Sequence, residues 1–179
     1  MKEIYVDRFE EIFEIMCESF PADERRKKEE QRGLFALPEY RVFACEQKGK
    51  IIGFIAIWEF DDFVYVEHFA LTESCRGLGL GSKMLKETAK LFEKPLCLEV
   101  EPPTTDIARR RIRFYERNGM YFNDYEYVQP PLSEGQNSLP LKIMTSGKKI
   151  SKDKFEKIKN TLYKYVYKVI SSLTFGSYS

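Results

Sequence analysis

Three glycines alternate with leucines in one short segment, between a strand pattern and an amphipathic helical pattern. The segment is Arg76-Gly77-Leu78-Gly79-Leu80-Gly81, the strand pattern before it ends at Leu71, and the helical pattern covers about residues 80–93. Glycine adopts left-handed backbone angles and allows other groups to approach the backbone closely. The unpaired N–H groups of a first helical turn and the helix dipole attract anions. The segment therefore predicts a phosphate-binding turn at a strand-to-helix junction.

Glycines at this spacing also occur in plain tight turns, and two other phosphate-binding motifs need comparison. A P-loop ends in Gly-Lys-Ser/Thr, whereas Gly81 is followed by Ser82-Lys83, which is the wrong order. A dinucleotide-binding fold places its glycines in the first βα unit, with an acidic residue about 20 positions downstream. Glu99 and Glu101 satisfy that spacing. Three antiparallel strand patterns precede the glycines, however, and this order argues against a dinucleotide fold.

Hydrophobic periodicity predicts the order of the secondary-structure elements. Helical spacing is followed by a run of strand patterns, and helix and strand patterns then alternate to the end of the chain. This order predicts an α/β (α+β) fold with a central mixed, mostly antiparallel sheet, helices on both faces and an extra C-terminal helix. We expect one domain over 1–179, with a core at about 1–146. The expected helices cover about 6–20, 23–36, 80–93, 104–117 and 151–172, and the expected strands cover 41–46, 51–60, 63–71, 95–101, 120–128 and 139–145.

Two segments resemble signatures of the GCN5-related N-acetyltransferase (GNAT) superfamily. Glu67-His68-Phe69-Ala70-Leu71, a four-residue turn and Arg76-x-x-Gly79-x-Gly81 look like its motif A. Phe114-Tyr115-Glu116-Arg117-Asn118-Gly119-Met120 is similar to its second signature. The resemblance covers about residues 1–145 and implies direct transfer of an acetyl group from acetyl-CoA to a primary amine in a ternary complex. An inactive acyl-CoA-binding regulatory module on the same fold is the alternative.

The resemblance also implies which residues bind the cofactor and which one protonates the leaving group. The backbone amide of Leu71 matches the group that polarises the acetyl carbonyl, and Tyr115 matches the acid beside the sulfur. Ala108 departs from the family pattern, because an asparagine often occupies that position and contacts the pantetheine arm. The residues expected to contact acetyl-CoA are Phe69, Ala70, Leu71, Arg76, Gly77, Leu78, Gly79, Leu80, Gly81 and Ser82.

The base that accepts the amine's proton is expected on the strand before the glycines. Strict alternation places Tyr65, Glu67 and Phe69 on one face of the sheet and His68 on the other. The resemblance implies that a basic group on this strand accepts the amine's proton, directly or through water, and Glu67, four residues before Leu71, is the carboxylate at such a position and the predicted base. Two alternatives stay open, a chain of water molecules and a structural role in which Glu67 pairs with an arginine or lysine. His68 is expected to be a core or interface histidine.

Composition restricts the partners and the location. The net charge is +1, which provides no global attraction for nucleic acid or for a membrane surface. Four scattered cysteines and one histidine predict neither a metal site nor disulfides. We expect a cytoplasmic monomer or homodimer that acts on a small-molecule or peptide amine. The charged helix at 104–117 is mostly a solvated face, although one or two of its arginines are candidates to meet the adenosine 3′-phosphate.

Overall fold

Seven strands form one sheet in the computed structural model, which describes residues 1–169. Their order across the sheet is β1-β2-β3-β4-β5-β7-β6, and every pairing is antiparallel except that of β4 with β5. The mixed, mostly antiparallel sheet expected from the sequence is thus confirmed. The strands are β1 (Lys2–Ile4), β2 (Tyr40–Gln47), β3 (Lys50–Glu59), β4 (Val64–Leu71), β5 (Leu96–Val100), β6 (Met120–Gln129) and β7 (Leu139–Ser146).

Residues 1–169 include five α-helices, which accompany the sheet. The expected helix over 23–36 is wrong, because only its middle turn is α-helical and 3-10 turns flank it. The last α-helix ends at Thr161, which makes it shorter than the helix expected over 151–172, and a wider π-helical turn, Leu162–Val166, follows it. Residues 170–172 of the expected helix lie outside the described residues. The helices are α1 (Phe9–Ser19), α2 (Lys28–Gly33), α3 (Leu80–Phe92), α4 (Asp106–Arg117) and α5 (Lys152–Thr161).

The sheet separates the hydrophobic core into two layers, and helices cover each layer. We call the side covered by α1 and α5 the α1/α5 face and the other side the α3/α4 face. Successive strand residues point to opposite layers, so that Phe54 packs on the α1/α5 face and Ile55 on the α3/α4 face. No helix within residues 1–169 is long and apolar enough to cross a bilayer.

The two parallel strands at the centre of the sheet separate partway along their length. The pairing of β4 with β5 runs only as far as Val66 and Leu98. Beyond these residues β4 continues to Leu71 and β5 to Val100 without pairing to each other. The backbone edges that face the gap are therefore free to contact a ligand.

Candidate active site

A cleft of about 730 Å³ opens where β4 and β5 separate. Phe69, Ala70 and Leu71 line it from β4, and Tyr115 lines it from α4. The glycine segment borders the same cleft through Arg76 and Gly77. The residues of both sequence signatures, which lie far apart in the chain, are thus brought together around one space.

The glycine turn forms an anion cradle at the start of α3. Gly77 and Gly79 have φ angles of +79° and +78°, in the left-handed region, and nothing lies within 4 Å of a Cβ built on either residue. Gly79 is the N-cap of α3 and no side chain caps this helix end. The amide groups of the first turn, at Leu80 and Ser82 among others, therefore have no intrahelical acceptor. Exposed N–H groups and the helix dipole make this turn attractive to phosphate.

Gly81 lies where α3 packs closely against its neighbours. A Cβ at this position would lie 3.2 Å from Phe114 Cζ and 3.4 Å from Phe69 Cζ. The missing side chain lets α3 pack tightly against β4 and α4. Only the first two glycines of the segment are required by the shape of the cradle itself.

Arg76 stands at the rim of the cleft, and its Nε donates to the backbone oxygen of Leu71 at 3.1 Å. The side chain is exposed, so its other nitrogens can reach an anion in the cradle. Leu78 points to solvent with 69% of its surface exposed. Arg76 therefore places a positive charge at the rim of the cleft, and the Leu78 side chain lies outside it.

The backbone amide of Leu71 points into the cleft. Thr72 donates its N–H to the oxygen of Ile52 on β3 at 2.9 Å, and Leu71 is paired in register with Gly53. Hydrogen-bonding direction alternates along an antiparallel strand, so the N–H of Leu71 is directed away from β3 and toward the gap. This amide is therefore available to an acceptor atom in the cleft.

Tyr115 lies beside this gap on α4, and its side chain is largely buried. Burial raises the pKa of its hydroxyl to about 12, and Arg111 offsets only part of that rise. The phenol is therefore protonated near neutrality and can donate a hydrogen bond or a proton. Within residues 1–169 the Tyr115 hydroxyl has no hydrogen-bond partner, which leaves it free for a ligand.

A β-bulge in β4 corrects the predicted faces of this strand. The pairing with β3 shifts between Ala56–His68 and Ile57–Val66, so that Glu67 is the extra residue. The bulge places His68 on the α1/α5 face together with Glu67, and it turns Phe69 to the α3/α4 face. The expectation that Glu67 and His68 face opposite ways is therefore wrong, and both line the cleft.

Glu67 forms a buried ion pair with Arg26. Arg26 Nη1 lies 2.8 Å from Glu67 Oε1, and the two side chains are 6% and 2% exposed. Burial alone would raise the pKa of Glu67, but Arg26 and His68 outweigh this effect and lower the pKa to about 2. Arg26 Nη2 also donates to the oxygen of Val166 at 3.1 Å. Glu67 is thus permanently ionised near neutrality, as in the structural alternative considered for it.

A second buried carboxyl group, that of Glu99, lies on β5 next to the gap and was not predicted as a site residue. Tyr65 and Tyr167 donate to its oxygens at 2.8 Å, and Tyr127 makes a third, short contact. Burial raises the pKa of Glu99, and the three hydroxyl groups oppose that rise. The chain after α5 is therefore anchored to the floor of the cleft. No sequence signal identifies this cluster, because its members come from four separate segments.

The charged helix α4 contributes arginines to the cleft as well as to solvent. Arg110, Arg111 and Arg117 line the cleft, and Arg111 pairs with Glu101 at 3.0 Å. Arg109 instead pairs with Asp106 at 2.7 Å on the exposed side. The expectation that most of this helix is a solvated face, with one or two arginines close to the ligand, is compatible with this placement. Within residues 1–169 all four cysteines are free and no acidic, histidine or cysteine cluster is placed to hold a metal.

Comparison with known proteins identifies the family. The model of the acetyltransferase (GNAT) family matches residues 9–120. YjbC of Bacillus subtilis (strain 168), provisionally named an acetyltransferase, is 34% identical over 107 residues, which cover 59% of this chain. The match spans 54% of the YjbC sequence, so this chain accounts for about half the length of that relative.

Two solved structures share the fold. A Bacteroides thetaiotaomicron protein, provisionally assigned to the GNAT acetyltransferases, has 34% identity and a TM-score of 0.87, with 94% of this chain and 98% of that chain covered. Arabidopsis thaliana NAA60 in complex with acetyl-CoA has 16% identity and a TM-score of 0.62, with 80% and 95% covered. The extent of the family match, together with the cleft and its glycine cradle, shows that this chain belongs to the GNAT acetyltransferase family.

Proposed function

We propose that the protein transfers an acetyl group from acetyl-CoA to a primary amine, by direct attack of the amine within a ternary complex. The observation that carries this proposal is the single cleft that joins the glycine cradle to the Leu71 amide and to Tyr115. The cradle is suited to a pyrophosphate, and the amide and the phenol line the same cleft, which supports a reaction of the acyl group between them.

The residues of the cradle fit coenzyme A. The first turn of α3 begins at Gly79 without a side-chain cap, and the open space at Gly77 and Gly79 lets a diphosphate approach the backbone. Arg76 adds positive charge at the rim. Acetyl-CoA, when bound, supplies an acetyl group activated as a thioester. The NAA60 structure with acetyl-CoA supports this cofactor as a property of the fold.

Leu71 and Tyr115 have complementary roles in this proposal. The N–H of Leu71 stabilises negative charge that develops on the carbonyl oxygen during attack, as a preorganised backbone donor. Tyr115 donates a proton to the departing sulfur. A thiol has a pKa of about 8.5 and is a better product than free thiolate near neutrality. Tyr115 can supply this proton because burial keeps its hydroxyl protonated.

Glu67, the predicted base, supplies the negative charge on the acceptor side of the cleft. With a pKa of about 2 it stays ionised and attracts a cationic amine. The half-buried Glu24 lines the same side. A carboxylate this acidic is a weak proton acceptor, because general bases work best when their pKa is near the working pH. Glu67 is 2% exposed and already pairs with Arg26, so in this proposal it acts on the amine through its charge and not by direct contact, and the proton passes to water.

Thermal stabilisation by ligands tests the cofactor. We expect acetyl-CoA at a hundred times its Kd to stabilise the protein by about 2.7 kcal/mol. This corresponds to a rise in Tm of about 5–10 °C for a chain of this size. NAD and ATP at the same concentration should raise Tm by much less, because neither has a pantetheine arm to fill the gap between β4 and β5. A larger shift with NAD or ATP would contradict the proposed cofactor.

Replacing Tyr115 with phenylalanine tests the proton donor. The Tyr115→Phe variant keeps the ring packing against Phe114 but loses the hydroxyl. We expect kcat to fall about 100-fold, which is the lower end of general acid contributions, with the Kd of acetyl-CoA unchanged. Tyr121→Phe on β6, where the ring is exposed, is the matched control. If both variants had the kcat of the wild type, Tyr115 would not be the acid.

A further inference from the structure

The segment between α1 and α2 forms one wall of the acceptor side of the cleft. Ser19 and Phe20 at the end of α1 line the cleft, and Glu24 lines it from the segment itself. The regular structure between the two helices is one short 3-10 turn, Ala22–Glu24. Neither a long helix nor a strand ladder supports this backbone, so its carbonyl groups need other hydrogen-bond partners.

One of these partners is Gln136, in the loop between β6 and β7. Its Nε2 donates to the backbone oxygen of Ala22 at 2.7 Å and to that of Arg25 at 2.8 Å. Its Oε1 accepts from the N–H of Ser133 at 2.8 Å, which fixes the orientation of the amide. A single side chain thus holds two carbonyl groups that lie on either side of Glu24 in the chain.

His68 on β4 holds the backbone of Glu24 itself. Its Nε2 lies 2.8 Å from the Glu24 backbone oxygen. A carbonyl oxygen only accepts hydrogen bonds, so this nitrogen carries a proton. Phe20 packs edge-on against the imidazole, with ring centroids 4.9 Å apart, and restricts its orientation. Side chains from two separate parts of the fold therefore fix the backbone around one residue.

The carboxylate of that residue has no ion-pair partner within residues 1–169. Glu24 is half-buried, lines the cleft and lies close enough to Glu101 and Arg111 for their charges to influence it. Arg111 already pairs with Glu101 at 3.0 Å and does not neutralise Glu24. Burial raises the pKa of Glu24, and Glu101 adds to that rise. A cation bound beside Glu24 would oppose both effects.

We propose that Glu24 binds the ammonium group of the acceptor amine, and that Gln136 and His68 are positioning residues that hold Glu24 at the cleft. This inference rests on the proposed function. Glu67 is buried and paired with Arg26, whereas Glu24 can be reached from the cleft. The acceptor class is therefore a basic alkyl amine, which is protonated near neutrality, and not an aryl amine, which is neutral there. The ammonium loses its proton to water before attack, so Glu24 binds the substrate and takes no part in the transfer.

The variant Glu24→Gln removes the charge and keeps the shape of the side chain. We expect the KM of an alkyl amine to rise about 10-fold or more, the range for a hydrogen bond to a charged group. The kcat should stay within about threefold of the wild type, because the lost contact is one of binding, and the Kd of acetyl-CoA should not change. Glu14→Gln, on the exposed side of α1, is the matched control.

An aryl amine, measured as a substrate or as a competitive inhibitor, separates charge from shape. Its affinity should be the same for the wild type and for Glu24→Gln, because it carries no positive charge at neutral pH. An unchanged KM for the alkyl amine, or an equal loss of affinity for the aryl amine, would overturn the proposal.

The variant Gln136→Met tests the positioning role, because methionine has a similar size but cannot donate to Ala22 and Arg25. We expect the KM of the alkyl amine to rise about threefold to tenfold, with the Kd of acetyl-CoA unchanged. Gln47→Met, at the exposed end of β2, is the matched control. If Gln136 acts through Glu24, the double variant Glu24→Gln/Gln136→Met should have a KM no higher than that of Glu24→Gln. Additive increases would overturn the positioning role.

These results are distinguishable from failure of the proposed function. A wild-type protein that binds acetyl-CoA but acetylates no amine would overturn both proposals. Normal turnover by the wild type, with the same KM in Glu24→Gln, would overturn only the role of Glu24. If Gln136→Met does not fold, the comparison of alkyl and aryl amines on Glu24→Gln decides by itself.

Discussion

Replacing Arg26 with methionine is expected to lower the free energy of unfolding by about 3–5 kcal/mol, because it leaves a buried carboxylate without its partner. The guanidinium pairs with Glu67 at 2.8 Å and also holds the backbone oxygen of Val166. Methionine fills similar volume but satisfies neither group. Urea denaturation of the wild type and of Arg26→Met, compared at equal m-value, measures the loss.

Arg41→Met is the matched control for this experiment. Arg41 pairs with Glu3 at 2.8 Å, but its side chain is 31% exposed, and such pairs contribute at most about 1 kcal/mol. The double variant Arg26→Met/Glu67→Gln should recover part of the stability, since it removes the unpaired charge. If Arg26→Met were no more destabilised than Arg41→Met, the buried pair would not have the energetic role that its geometry indicates.

Acid sensitivity provides a second measurement of the same pair. The pKa of Glu67 is about 2 in the folded protein, below the ordinary value of 4.5. Its stabilising contribution is therefore fully present above about pH 4.5 and is lost as the pH falls toward the folded pKa. Between about pH 5 and pH 3 we expect this group to account for about 2 kcal/mol. Arg26→Met should lose that part of the acid dependence.

Replacing Gly79 with glutamate is expected to raise the Kd of acetyl-CoA about 1,000-fold, which corresponds to about 4 kcal/mol. Gly79 lies at the N-cap of α3 with nothing within 4 Å of its Cβ position, so the new side chain fits sterically. Its carboxylate then occupies the space in which we propose that the cradle holds phosphate, and the two negative charges repel each other. Isothermal titration calorimetry with acetyl-CoA measures the change directly.

Gly147→Glu is the control for backbone strain in this experiment. Gly147 also has a left-handed φ, +84°, and open space around its Cβ position, but it lies after β7 and not at the cleft. A side chain in this backbone region costs about 1–2 kcal/mol wherever it is placed. Both variants should therefore lose similar stability, and only Gly79→Glu should lose the cofactor. Equal affinity in the two variants would mean that the phosphates bind elsewhere.

The cradle was predictable from the sequence because its determinants are local. Left-handed angles at Gly77 and Gly79 follow from glycine itself, and the amphipathic pattern after them locates the start of α3. The position of Tyr115 at the end of α4 follows from its helix-end signature, in which Gly119 has a φ of +82°. In these segments the glycines and the amphipathic residues that determine the backbone conformation are also the residues that form the recognisable sequence motif.

The acceptor side was predicted less well because its determinants are not local. Glu67 and His68 stand side by side among apolar and aromatic residues from Val64 to Leu71, so strict alternation was the only guide to their faces, and the bulge at Glu67 changes it. Arg26 lies 41 residues from its partner in the sequence and belonged to a segment expected to be helical. The tertiary fold brings Arg26 to Glu67, and no residue next to Arg26 in the sequence indicates this pairing.

An acetyl transfer assay with an amine panel tests the central claim most directly. Release of free thiol from acetyl-CoA and the mass of the acceptor are followed together, for the wild type and for Tyr115→Phe. We predict amine-dependent thiol release by the wild type, one acetyl group gained by the acceptor per thiol, and no acetylated protein when the amine is omitted. Binding of acetyl-CoA without amine acetylation above the level of Tyr115→Phe on any acceptor would contradict the claim and favour a cofactor-binding module.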